Sequence, residues 1–136
     1  APVPAVGSDL RVPAPAAHLA YVLLHAYNHG WTLSPAWALD VHFLLGRHPG
    51  LVGPALGVFP PAWPVALSLQ VAAQVVPGLD LDPKTLPPPT LAQRLVLSAI
   101  TAYLDRGGPS TLASAACRIL ASPTPVTTLS SMIGRY

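Results

Sequence analysis

The chain of 136 residues fits one domain, long enough to bury about two-thirds of its unfolded surface. Its seven basic and five acidic residues give a net charge of +2, but Arg11, Arg47, Lys84, Arg94, Arg106, Arg118 and Arg135 never form neighbours or a helical stripe. That spread excludes the concentrated basic face of a nucleic-acid binder, and no segment reaches the roughly 18 uninterrupted apolar residues of a membrane span.

Cys117 is the single cysteine, so an internal disulfide and a cysteine-cluster metal site are excluded. Its setting, Ala115-Ala116-Cys117-Arg118-Ile119, reads as an inert position on the buried side of a helix. With 51% apolar and 9% charged residues, the chain is poor in charge for a soluble domain. Apolar surface is therefore expected to be left over for a protein partner or a small apolar ligand. The expected compartment is the cytoplasm. The chain opens on Ala1 with neither an initiator Met nor a signal-peptide pattern, as expected of a processed or excised chain.

Residues 1–14 are rich in Pro, Ala and Val, and their prolines allow at best an extended edge arm. Pro15 suits the first turn of a helix that runs to about residue 27 and closes at Gly30. Ser34-Pro35 is an N-cap followed by proline at the first helical position, opening a second helix to about His48. Residues 51–59 hold at most a short helical turn. Pro64 opens a third long helix over 65–76, ended by Pro77-Gly78.

Residues 79–89 form a proline-rich loop. Thr90 caps a fourth helix to about residue 106, whose Arg94, Ser98, Thr101 and Asp105 recur at i, i+4, i+7 and i+11 as one narrow solvated stripe. Gly107-Gly108-Pro109 separates it from a fifth helix over 110–121, and the tail 122–136 is Ser/Thr-rich and expected to be loosely docked. The fold expected is all-α, about five helices around a single core in residues 15–121.

Residues 15–48 carry all five histidines and two of the three tryptophans, and specific chemistry is expected there. His18, His25 and His29 share one face of the first helix. The pair His25-x-x-x-His29 has the spacing at which two imidazoles can hold a metal ion. It lacks the glutamate of a zinc-protease helix, and a third ligand would have to be Asp40 or His18, so no metal or other cofactor is expected.

Asp40 shares a side of the second helix with Trp37, Val41 and Leu44, where an ionised carboxylate is costly unless paired. His25 or His29, on a neighbouring antiparallel helix, is its natural partner. A buried His–Asp pair could serve packing or act as a general base, which makes His25, His29 and Asp40 the candidate catalytic residues. His18, Tyr21, Trp31 and Trp37 are the candidate lining of an apolar ligand pocket, against the alternative that the aromatics are core. Gly7-Ser8 and Asp80-x-Asp82 could suggest a nucleotidyltransferase metal site, but more than seventy residues separate them, and both read as turns.

The runs Leu10-Arg11-Val12-Pro13-Ala14-Pro15, His18-Leu19 with His25, His29-Gly30-Trp31, Trp37 with Asp40, and Arg47-His48-Pro49 resemble the later half of the uncharacterised nucleotidyltransferase family of bacterial biosynthetic clusters. That family has an "R-V-P-x-P" step, then "H-L-x-x-x-x-x-H" and a downstream "W-x-x-D" in its helical half. The match covers residues 8–50 and, in character only, the helices to 76. The resemblance implies that the catalytic acids belong to a half missing here, and that His18, His25 and Asp40 belong to a helical half that covers substrate or packs. It implies a non-catalytic accessory or substrate-recognition domain of bacterial specialised metabolism. The alternatives are a small biosynthetic enzyme, cyclase- or isomerase-like, with its pocket around His25, His29 and Asp40, and a protein-interaction domain.

Overall fold

The computed structural model describes residues 13–31, 36–104 and 111–122, and among them it is all-helical with no strand. The helices are α1 (Pro15–Asn28), α2 (Ala36–Arg47), α3 (Val52–Leu56), α4 (Trp63–Val75), α5 (Leu91–Leu104) and α6 (Thr111–Ala121). The five expected helices are all present, and the helical turn expected within 51–59 is α3. The expected arm up to residue 12, the Ser34-Pro35 cap and the tail from residue 123 lie outside the described residues.

Proline sets the starts: Pro15 and Pro64 occupy first-turn positions of α1 and α4, where a missing N–H costs nothing and φ is already helical. α4 is the hub, packing against α1, α2, α3 and α5. It therefore has almost no solvated side. Pro64, Val65, Ala66, Leu67, Ser68, Leu69, Val71 and Ala72 are all buried, as expected of a helix that is apolar nearly all round. Leu19, Leu23 and Ala26 of α1 and Trp37, Ala38 and Val41 of α2 join it in the core.

α1 ends in a Schellman turn. The Trp31 N–H reaches back to the Ala26 carbonyl and the Gly30 N–H to the Tyr27 carbonyl, both at 2.9 Å, satisfying two otherwise orphaned helix carbonyls. Gly30 has φ 60° and Trp31 φ 57°. The left-handed region is natural for glycine but costs a bulky residue about 1–2 kcal/mol. Trp31 is held there because its side chain is 1% exposed and its indole N–H donates to the Ser68 hydroxyl across the core at 3.1 Å.

α5 begins with a capping box. Thr90 Oγ1 accepts from the Gln93 N–H at 3.2 Å, and Gln93 Oε1 accepts from the Thr90 N–H at 2.9 Å, each side chain satisfying the other's free donor. The remaining Gln93 amide hydrogens reach the Ala121 carbonyl at 3.1 Å, so the end of α6 lies beside the start of α5. Ser122, at the head of the expected loose tail, is buried there.

The solvated stripe expected on α5 needs correction. Arg94 and Ser98 are exposed, but the Thr101 hydroxyl meets the Gln74 side chain of α4, and Asp105 lies outside the described residues. The solvated face instead includes Leu91 and Leu95, 68% and 65% exposed.

Truncating Trp31 removes a large core side chain, so Trp31→Ala should lower the unfolding free energy by about 3–5 kcal/mol. Ser68→Ala leaves a buried indole N–H without a partner and should cost about 1–3 kcal/mol. Urea unfolding of both variants measures this; a loss below about 1 kcal/mol for Trp31→Ala would show that the turn does not anchor α1 to α4.

Candidate recognition face

Apart from Pro15 in its first turn, the exposed residues of α1 are His18, Tyr21, His25 and Asn28, and His29 follows at its C-cap. At 100° per residue they span an arc of about 100°. Directly behind that arc lie Leu19, Leu23, Ala26 and Tyr27, all buried. The face is therefore one side of a helix whose rotation is fixed by its core side.

Along this face the rings form a ladder. Tyr21 stacks on His25 with centroids 5.9 Å apart and planes at 15°, and His25 meets His29 at 4.4 Å and 58°. Each step is an i, i+4 pair, the spacing at which helical side chains lie side by side. Tyr21 is 60% exposed, leaving much of its ring free for a planar ligand.

Asp40 is not where the sequence suggests. It is exposed, and among the described residues it makes no hydrogen bond or ion pair with His25 or His29. The physical reason is its angular position. The buried arc of α2 centres on Trp37, Ala38 and Val41, and Asp40 lies about 60° beyond Trp37, so a small rotation keeps its carboxylate hydrated. The expected buried His–Asp pair is thus replaced by separate surface groups.

The pocket lining divides as well. His18 and Tyr21 are on the exposed face, whereas Trp31 and Trp37 are 1% and 7% exposed and belong to the core. No group of three or more His, Cys, Asp or Glu among the described residues is placed to hold a metal ion. Asp82, in the Asp80-x-Asp82 run, folds into a turn: its carboxylate accepts from the Lys84 N–H at 2.9 Å, as expected for an Asx turn.

Three cavities bounded by described residues lie away from this face. One of about 350 Å³ is lined by Gln70, Gln74, Leu81, Leu86, Leu97 and the prolines 87–89. A neighbour of about 200 Å³ shares Gln70, Pro87 and Pro88 and reaches Trp63. The third, about 290 Å³, lies between Leu45, Val52 and the Asp80–Asp82 turn. None of the three is lined by His25, His29 or Asp40.

At the C-terminal end of α1, Tyr27 packs edge-on to Trp31 at 5.7 Å and to Trp63 at 5.2 Å. Arg118 of α6 covers its ring at 5.1 Å and donates from Nη1 to the Asn28 carbonyl at 2.7 Å. A cation over an aromatic face and at a helix C-terminus is favourable on both counts. Sequence reasoning passed over Arg118, Ser68 and Gln93. Gln93 alone had a local signal, the Thr90-x-x-Gln93 capping pattern; the other two act across the chain.

Comparison with protein-family models, curated proteins and solved structures returns no match.

Burial pushes the Tyr27 hydroxyl above its ordinary 10.0, with Arg118 pulling it partly back, and burial likewise raises the Cys117 thiol above 9.0. Both groups hold their protons more tightly when folded. Their stabilising contribution is therefore complete below the ordinary values and is lost as the pH rises through the raised ones. Denaturation between pH 8 and 11 should show a decline beginning near about pH 9. Tyr27→Phe and Cys117→Ser should each remove part of the slope; unchanged slopes in both would contradict these assignments.

Proposed function

We propose that this chain is a helical accessory or substrate-recognition domain related to nucleotidyltransferases, working beside a catalytic partner and performing no transfer itself. The observation that carries the reading is the Tyr21–His25–His29 ladder, a row of adjacent exposed rings on a helix held firmly from behind. Such a surface suits a planar heterocycle, which stacks on an aromatic ring and hydrogen-bonds to imidazole edges. It fits the place of His18 and His25 in the helical half that the sequence resembles. The commitment of Asp82 to a turn supports the non-catalytic part. A bacterial, cytoplasmic setting in specialised metabolism belongs to the same proposal.

A second reading, a protein-interaction domain, is favoured by exposed apolar side chains: Leu91, Leu95, Leu120 and Phe43 are each more than 60% exposed. An enzyme built on a buried pair of Asp40 with His25 or His29 has less behind it, since the Asp40 carboxylate is exposed.

Titration of the ¹⁵N-labelled chain with magnesium ATP and UTP tests the first reading. Saturable shift changes should centre on residues 18–29, with no pyrophosphate released by the chain alone. Base–aromatic stacking contributes about 1–3 kcal/mol, so Tyr21→Ala should weaken binding about fivefold or more. Pyrophosphate release would sink the non-catalytic part, and absence of shifts along α1 would sink nucleotide recognition.

A further inference from the structure

The ring ladder carries a second, separate chemistry. We infer that His25 and His29 form a two-histidine site for a divalent transition-metal ion of the zinc, nickel and copper class, with the remaining coordination positions left open to water or an anionic donor.

The geometry is the first argument. A tetrahedral metal about 2.0–2.1 Å from one nitrogen of each imidazole needs those nitrogens about 3.3 Å apart, which places the ring centroids about 5 Å from each other. The His25 and His29 centroids stand 4.4 Å apart with planes at 58°, so a small side-chain rotation that parts the rings by about 1 Å reaches that separation. Both are exposed, so an ion reaches them without opening the core. The Tyr21 ring stacked on His25 limits its rotation, which reduces the ordering that chelation requires.

The electrostatic setting is the second argument. His29 is the C-cap of α1, and the partial negative charge of a helix C-terminus favours a nearby cation. Arg118, the cation already at this end, covers Tyr27, which lies about 160° around the helix from either histidine. The two positive charges therefore take opposite sides of α1.

Imidazole is the preferred ligand for zinc, copper and nickel, whereas magnesium and calcium prefer oxygen. Selectivity against the hard cations follows from the donor set. With two protein ligands the ion keeps open positions, as catalytic and substrate-bridging metals do and closed structural sites do not.

The test is titration of the whole chain with Zn²⁺, without nucleotide, followed by calorimetry and by the imidazole ¹H–¹⁵N resonances. One ion should bind per chain, moving the His25 and His29 resonances together. His25→Ala and His29→Ala should each weaken binding at least tenfold while circular dichroism stays unchanged, and His48→Ala should leave it as it was. Non-saturable binding, equal affinity in His25→Ala, or a loss in His29→Ala alone would each overturn the two-histidine site. Because nucleotide is absent, failure here leaves nucleotide recognition standing, and the converse also holds.

Discussion

The structure depends on how α1 ends. Gly30 and Trp31 both take left-handed backbone conformations, which turns the chain sharply enough to drive the Trp31 indole into the core beside α4. The conformational cost of about 1–2 kcal/mol at Trp31 is small against the burial of so large a side chain. The indole N–H finds its partner in Ser68, a buried hydroxyl on α4. Once Trp31 and Tyr27 are committed inward, α1 has only one rotational setting. His18, Tyr21, His25 and His29 must then face water, so the exposed ring ladder is a consequence of what the core demands.

The same junction recruits the end of the chain. Tyr27 meets Trp31 and Trp63 in T-shaped pairs, and its ring also lies under the Arg118 guanidinium. Arg118 thus links α6 to the last turn of α1, while Gln93 links α6 to the first turn of α5. In a chain with only 9% charged residues, these links are made by amides, hydroxyls and one well-placed cation. Neutral hydrogen bonds carry a smaller desolvation penalty than buried ion pairs, so a charge-poor core can hold its helices in register.

The helices were legible in the sequence because proline and glycine mark their ends. Pro15, Pro64, Pro77-Gly78 and the Thr90 cap each fall where a helix starts or stops. Side-chain fates were less legible. Asp40 sits at the border of the apolar arc of α2, where periodicity places a residue to within about 60° and cannot say which way the helix rolls. Hydration of the carboxylate decides it. Trp31 and Trp37 could line a pocket or fill a core, and for Trp31 the inward choice is anchored by Ser68, 37 residues further along. Such long-range partners leave no periodic trace. The His25–His29 pair was visible as a spacing, but its exposure was hidden by the expected bond to Asp40.

The position of the ladder bears on catalysis as well as binding. A histidine base gains its reactivity from a carboxylate that fixes its orientation and from a site that keeps bulk water away. His25 and His29 are exposed, and Asp40 gives them neither an ion pair nor a hydrogen bond among the described residues. What the exposed rings offer is directional: aromatic faces for stacking and imidazole edges that a polar group or a soft cation can approach. That is the chemistry of recognition, and it reaches its full strength when a second surface covers the ladder and removes the competing water. The open coordination positions of a metal held there would point outward, toward whatever that second surface presents.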